Sequence, residues 1–284
     1  MSASVSILGG NGMLGYDIRL CLASQNFDVK VFDIPDFDIR NSTHLDYAVK
    51  SSNVIVNCAA YTAVDKAESE PEICRDINAL ALIPLCEAIR KYDKYLVHIG
   101  TDFVFGDASD NAHLETDIPS PLSVYGRTKL EGEQTVLASG CKASVMRVQW
   151  TYGKNGNNFV RKIIELASRL ESLKVVDDQI GSPTHTADAA KAVLALIGKQ
   201  AEGLFHFAAK GYASRFEVAE LIFKEQNIAK PLYRVKTSDF STPAARPLNS
   251  RFNCDKIDAL LDFGRPFWKD ALKSFLKQNF PSQQ

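Results

Sequence analysis

The 284-residue chain carries almost no net charge: 33 basic and 34 acidic side chains leave a formal −1 with histidine neutral. No lysine–arginine block disturbs that balance; Arg90, Lys91 and Lys94 are a scattered helical face. Both facts argue against a protein that draws its affinity from neutralising nucleic-acid phosphates. Long hydrophobic runs are also missing. The longest apolar stretch, Ala79 to Ile89, is broken by Pro84 and Glu87 and falls well short of a membrane span, so no membrane partner is expected. No basic region precedes the first strand-like run, so no signal peptide is readable. The six cysteines (Cys21, Cys58, Cys74, Cys86, Cys141 and Cys254) form no CxxC pair and no Cys/His cluster. Neither a zinc site nor a disulfide framework is indicated, and a reduced, cytoplasmic setting is expected. What is present is ordinary for a folded chain, with 45% hydrophobic and 24% charged residues. That suffices for a sizeable core and, at roughly 150 residues per domain, about two domains.

Apolar, β-branched runs alternate with helix-length amphipathic segments through the first half of the chain. Val5–Leu8, Val29–Phe32, Val54–Cys58, Tyr95–Ile99 and Ser144–Val148 read as strands, with helices between them, notably Glu72–Lys91 and Val124–Leu137. The strands are continuously rather than alternately apolar, which predicts an α/β fold with a parallel sheet covered on both faces. After Trp150 the texture changes. Helices are expected over Asn158–Glu171, Thr186–Ile197, Phe216–Phe223, Cys254–Leu261 and Trp268–Leu276, with short strands at Val175–Val176 and Leu204–Phe207. No repeat, low-complexity stretch or flexible linker separates the two parts. The expected division gives residues 1–150 and 172–208 to a dinucleotide-binding sheet half, and 151–171 and 209–284 to a smaller, mostly helical cap that binds substrate.

Between the first strand and the first helix, Gly9, Gly12 and Gly15 form a Gly-x-x-Gly-x-x-Gly turn. Glycine there permits a tight turn, close approach of the backbone to a pyrophosphate, and close helix–sheet contact. The helix N-terminus adds free N–H groups and a positive dipole end. A dinucleotide held by Gly9, Gly12, Met13, Leu14 and Gly15 is the functional reading; a purely structural turn is the other. Asp33 ends the second strand, 18 residues past Gly15, where a carboxylate can accept from an adenosine ribose 2′-hydroxyl and favour NADH. From spacing alone it serves equally as a cap of the turn Asp33–Asp36. Asp38 and Ile39 are the alternative flank of the adenine. Arg40 or Lys30 could take the 2′-phosphate of NADPH, so both cofactors stay open.

Tyr125 and Lys129 lie four residues apart on a predicted helix, hence on one face. A free phenol titrates at about 10, and a neighbouring ammonium favours the phenolate and lowers that value toward neutrality. The lysine can also hydrogen-bond a nicotinamide ribose. Tyr-x-x-x-Lys by itself is common on helices; its place after the fourth strand of a glycine-loop sheet makes it informative. Thr101, at the end of that strand, offers a hydroxyl to a substrate carbonyl or caps a loop. Thr101, Tyr125 and Lys129 make a constellation for ketone reduction, with hydride from a nicotinamide and the proton from Tyr125.

Here the chain resembles a known family. The glycine spacing is typical of extended short-chain dehydrogenase/reductase folds. The segment Asn57-Cys58-Ala59-Ala60-Tyr61-Thr62-Ala63-Val64-Asp65-Lys66-Ala67-Glu68 looks like part of the dTDP-4-dehydrorhamnose reductases. So do Thr101-Asp102-Phe103-Val104-Phe105, Gly156-Asn157-Asn158-Phe159, Asp178–Thr184 and Ala245–Ser250, in the family's order. The resemblance implies a Rossmann-type doubly wound sheet with a substrate-binding cap. It also implies reduction of the C4 ketone of dTDP-4-dehydrorhamnose to dTDP-L-rhamnose, with NADPH or NADH. Carried onto this chain, Ala60, Tyr61 and Thr62 lie by the cofactor, and Thr101 and Asp102 face the sugar. Tyr125 is the proton donor and Lys129 holds the cofactor. Asn158 falls on the substrate side, Trp150 stacks on the substrate, and Arg246 meets the nucleotide diphosphate. Physical chemistry supports a π face and a guanidinium fork for those last two tasks; a core tryptophan and a solvated loop arginine are the plain alternatives. A homodimer is expected only by family.

The chain departs from the family's pattern in places. Gly100 stands where serine is common, and Gln149 interrupts the usual segment before the tryptophan, where it would alter the pocket floor. The glutamates that hold Mg²⁺ between subunits in some members are represented here by Asp17 and Ala187, so no metal is expected. His98, His185 and His206 read as structural. Two other functions fit the same resemblance. One is a non-catalytic module like the regulatory β-subunit of methionine adenosyltransferase; the other is a different nucleotide-sugar reductase or epimerase of the extended class.

Overall fold

The computed structural model describes residues 4–106 and 109–281. The chain opens with β1 (Ser4–Leu8), α1 (Met13–Ser24), β2 (Asp28–Phe32), α2 (Ser42–Lys50) and β3 (Val54–Asn57). Two short helices, α3 (Val64–Ala67) and α4 (Pro71–Arg75), lead to α5 (Leu82–Lys91), β4 (Tyr95–Thr101), α6 (Val124–Ala138) and β5 (Lys142–Val148). Then come β6 (Thr151–Tyr152), α7 (Phe159–Arg169), β7 (Leu173–Val176), β8 (Ile180–Gly181), β9 (Thr184–His185), α8 (Thr186–Lys199) and β10 (Gly203–Phe207). The chain closes with β11 (Ala213–Ser214), α9 (Arg215–Glu225), β12 (Leu232–Val235), α10 (Asp255–Asp258) and α11 (Trp268–Asn279).

Six strands form one sheet in the order β2-β1-β3-β4-β5-β10, every pair parallel. Successive residues of a strand point to opposite faces, and both faces are apolar. Val5, Ile7, Val54, Val56 and Val97 pack with Ile18 and Leu22 of α1 and Val193 and Leu196 of α8. Leu8, Ile55, Leu96 and Val145 pack on the other side with Leu45, Leu85, Ile89 and Val136 of α2, α5 and α6. This is the doubly wound parallel sheet that continuous apolar strands predict. From β1 the chain passes to β2 on one side and β3 on the other. A crevice therefore opens over the carboxyl ends of β1 and β3, where such folds bind ligands.

A third apolar cluster lies outside the sheet. Val160 and Ile163 of α7, Val218 and Ile222 of α9, and Leu272 and Phe275 of α11 meet there with Tyr152 and Trp268. The structure redraws the expected division in two places. Leu173–Val176 pairs in parallel with β12 and buries Leu173 and Val175 in this third cluster, whereas residues 172–208 were expected wholly on the sheet. Phe252, Cys254 and Ile257, expected in the cap, pack in the first cluster instead. Among secondary elements, Glu72–Lys91 is not one helix: a π-helical turn over Asp76–Leu80 separates α4 from α5. Asn78 in that turn accepts from the Tyr61 backbone N–H at 2.8 Å and donates to its carbonyl at 3.2 Å, so the widened turn serves a neighbouring loop. The helix expected over Cys254–Leu261 shrinks to Asp255–Asp258.

One buried ion pair ties α6 to β5. Arg147 and Glu133 are each 2% exposed, Nε donates to Glu133 at 2.9 Å, and another guanidinium nitrogen reaches His206 at 3.1 Å. Removing one partner of such a pair strands the other charge. Glu133→Ala is therefore expected to lower stability by about 3–5 kcal/mol, measured as a fall in the urea midpoint at constant slope. A change under about 1 kcal/mol would show that water or His206 replaces the carboxylate.

Candidate active site

A cavity of about 720 Å³ occupies the switch-point crevice. Gly9, Gly12, Met13, Leu14 and Gly15 line one end with Asp33, Asp38, Ile39 and Arg40; Thr101, Asp102, Tyr125, Lys129, Trp150 and Arg215 line the other. Ala60 and Thr62 lie on the wall between.

The glycine end is shaped by sterics. Gly9 has φ +75°, and a Cβ there would sit 2.7 Å from the Ala59 nitrogen. A Cβ on Gly15 would come within 2.8 Å of Gly10 Cα. The α1 N-terminus thus presses against the end of β1 as the motif requires. Gly12 caps α1 with no side-chain hydrogen bond and no acidic residue in the first turn, so first-turn N–H groups face the cavity. Asp33 combines the two readings of its spacing. Its carboxylate accepts from Asn11 N and Ile34 N, each at 2.8 Å, tying the glycine loop to the end of β2, and it also lines the cavity. Of the two candidate 2′-phosphate partners, Arg40 lines the cavity and pairs with Asp38 at 2.6 Å. Lys30 is turned away, donating to the Ser51 carbonyl at 2.5 Å.

At the other end, Ser123 caps α6 by accepting from Gly126 N at 3.1 Å. That start puts Tyr125 and Lys129 toward the carboxyl end of β4. Tyr125 and Thr101 line the cavity together, and Phe103 packs edge-on against the Tyr125 ring at 5.4 Å. Burial pushes the Tyr125 phenol up to about 12, the Thr101 hydroxyl opposing and the Asp102 carboxylate adding. Lys129 is not among the groups that shift the Tyr125 phenol; its ammonium donates to the Ile99 carbonyl at 2.7 Å. Burial pulls Lys129 down to about 8 against the attraction of Glu133. Thr101 is both site residue and cap: its oxygen accepts from Phe103 N at 3.3 Å and its hydroxyl reaches Asp102 at 3.3 Å. Asp102 takes the Ser250 hydroxyl at 2.6 Å, and its burial raises its carboxyl pKa.

Three expected contacts do not line the cavity. The Tyr61 hydroxyl donates to Glu70 at 2.6 Å. Asn158 caps α7 by accepting from Arg161 N at 3.1 Å, and its amide donates to the Gly153 carbonyl at 2.9 Å; the neighbouring Gly156 and Asn157 line the cavity instead. Arg246 is committed to Asp65, with guanidinium nitrogens 2.8 and 2.7 Å from its two oxygens. Trp150 does line the cavity, but Arg215 lies over its ring, 3.6 Å from the centroid. The stacking face assigned to a substrate is therefore covered. Gln149 is not a pocket floor: it is buried, and its side-chain oxygen accepts from Ser182 N at 2.7 Å. His98 and His206 are buried and neutral, His206 pushed down to about 3. Among the described residues no cluster of three or more metal-ligating side chains occurs, and no helix is long and apolar enough to cross a membrane.

Arg215 was missing from the expected site. A signal for it was present. Ser214 and Glu217 form a capping box, so Arg215 opens a helix, where a cation opposes the positive end of the dipole. A basic residue in that place has a reason other than helix stability.

The fold and cleft together define a class, the dinucleotide-binding short-chain dehydrogenases/reductases of the extended type. Within it, the chain belongs to the family of the RmlD substrate binding domain, whose model matches residues 3–280. It is 35% identical to the dTDP-4-dehydrorhamnose reductase of Escherichia coli K12, over 98% of both chains. It is 38% identical to that of Mycolicibacterium smegmatis, over 87% of this chain and 77% of the other. Among solved structures, the Bacillus anthracis dTDP-4-dehydrorhamnose reductase in complex with NADP matches with a TM-score of 0.93 and 35% identity, covering 98% of this chain and all of the other. A Thermus thermophilus UDP-glucose 4-epimerase, 17% identical with a TM-score of 0.82, shares the fold.

Proposed function

We propose that the chain reduces the C4 ketone of dTDP-4-dehydrorhamnose to dTDP-L-rhamnose with a reduced nicotinamide dinucleotide. The observation that carries this reading is that Tyr125, Thr101 and Lys129, one helical turn from Tyr125, line a single cavity whose other end is a glycine cradle. The relatives' names supply the substrate. The cradle fits a dinucleotide, because a Cβ at Gly9 or Gly15 would collide with backbone, while the open α1 N-terminus offers N–H donors to a pyrophosphate. Arg40 lines the adenosine end beside Asp38, its ion-pair partner, and NADPH or NADH is the reductant. In this reading the sheet half binds the dinucleotide, and the half built on the third apolar cluster binds the sugar nucleotide.

When bound, the dinucleotide supplies the hydride that adds to C4. Thr101 and Tyr125 donate hydrogen bonds to the carbonyl oxygen and hold it at the end of β4. As negative charge grows on that oxygen, the Tyr125 proton passes to it. A phenol held near 12 is fully protonated at neutral pH, yet is still a stronger acid than the alcohol being formed. Lys129 lies one helical turn from the phenol, with its ammonium on the Ile99 carbonyl. The test is a coupled assay from dTDP-glucose through the upstream dehydratase and epimerase, with the product identified. Tight binding without turnover would favour the regulatory reading instead.

A pH dependence follows. Lys129, held near 8, is charged below that pH and neutral above it. If its ammonium holds the nicotinamide ribose, dinucleotide affinity is expected to fall several-fold between pH of about 7 and about 9, and Lys129→Met to flatten the profile. Fluorescence titration of the reduced cofactor measures both. A profile that keeps its slope in Lys129→Met would assign the titration to another group.

A further inference from the structure

Three basic side chains line the cavity: Arg40, Lys129 and Arg215. Asp38 neutralises Arg40, and Lys129 is held by the Ile99 carbonyl. Among the described residues, neither a hydrogen bond nor an ion pair engages the Arg215 guanidinium. It is held by stacking, over Trp150 at 3.6 Å and beside Phe159 at 5.0 Å, while the Asp102 carboxylate attracts it without forming an ion pair. Stacking uses the face of a guanidinium and leaves its in-plane N–H donors free for a bidentate partner. The platform is itself constrained. Trp150 has φ +44°, which a bulky residue rarely adopts. Gly181 lies so close behind its ring that a Cβ there would sit 2.7 Å from Cε2. The local arrangement thus spends stability, through a strained tryptophan and a cation at a helix start, to hold a free guanidinium fork over the cavity.

An unpaired, oriented guanidinium selects an anion with two adjacent oxygens, such as a phosphate of a diphosphate. Two diphosphates are in question, the cofactor's and the substrate's. The open α1 N-terminus at Gly12 is already placed for the first. Arg215 sits with Trp150, Asp102 and Thr101 at the opposite end, and its neighbour Arg246 is occupied by Asp65.

We propose that Arg215, stacked on Trp150, binds the diphosphate of the sugar nucleotide, the task that the sequence suggested for Arg246. The proposal rests on the sugar-nucleotide reading above. Titration calorimetry on the NADPH-loaded protein tests it, with dTDP as the charged probe and thymidine as the neutral one. In Arg215→Gln, dTDP affinity is expected to fall at least tenfold, while thymidine and NADPH affinities change less than twofold. Arg215→Lys, a point charge without the fork, should fall between. The apo melting temperature of each variant is read alongside to show that it folds. Unchanged dTDP affinity in Arg215→Gln would overturn the proposal. So would an equal loss for thymidine, which would make the arginine a prop for Trp150, or a loss confined to NADPH, which would make it a cofactor residue. Failure of the underlying reading is visible separately, because the native protein itself would then bind no dTDP; that result would sink both.

Discussion

Tyr125→Phe is expected to lower kcat by about 10²–10⁴-fold while leaving dinucleotide affinity within a factor of about two. The substitution removes only the hydroxyl. The ring keeps its edge contact with Phe103, and the helix that carries it is fixed independently by the Ser123 cap. The carbonyl oxygen then keeps Thr101 as a donor but has no acid within reach, so the growing alkoxide must take its proton from water. The loss should appear in kcat more than in KM, since the proton moves only in the transition state. Steady-state kinetics with both substrates saturating, and a separate cofactor titration, make the check. Turnover at the parental rate would remove Tyr125 from the mechanism. A matching loss of cofactor affinity would mean that the phenol mainly builds the cofactor pocket.

Gly12→Val has the second large effect, and it acts on binding. Unlike Gly9 and Gly15, Gly12 has room for a Cβ with only a slight adjustment: the nearest atom is the Gly9 carbonyl oxygen at 3.2 Å. Its backbone, φ −67° and ψ 169°, suits any residue. The apo fold should therefore survive. The added methyls, however, enter the space in front of the α1 N-terminus, where a pyrophosphate must come to reach the N–H groups. In the parental protein, cofactor at about 100 times its Kd should stabilise the fold by roughly 2.7 kcal/mol. In Gly12→Val that increment should vanish, read as the loss of the cofactor-induced rise in melting temperature. A rise of the parental size in the variant would move the cofactor site away from the glycine turn.

Most of the sheet was legible because its determinants are local. Val5–Leu8 and Val54–Asn57 are buried throughout, and only a parallel sheet with both faces covered hides so continuous a run. The glycine turn was legible for the same reason: three glycines between strand and helix state a steric need that the backbone then meets. Tyr125 and Lys129 needed only the helical period. The small strands were not legible. β6, β8, β9 and β11 are two residues each, too short for any period to show. Val175–Val176 was readable as a strand, but neither its extension to Leu173 nor its pairing with Leu232–Val235 was, since pairing depends on how the chain returns.

The sequence by itself determined the class: an alternating strand–helix order, a glycine cradle, and a tyrosine and lysine one turn apart. Tertiary structure decided which charged and aromatic groups are free to act. Arg246 and Asp65 are 181 positions apart, yet they meet at 2.7 Å and occupy each other. Arg215 lands on Trp150, from the start of α9 in the third apolar cluster, and takes the face that a substrate was expected to use. The Tyr125 phenol rises to about 12 because the fold buries it and brings the Asp102 carboxylate near it. The physical reason is common to all three. A backbone period is written in adjacent residues, whereas the partner of a charge is whichever group the fold brings within about 3 Å, and that distance depends on the whole path of the chain.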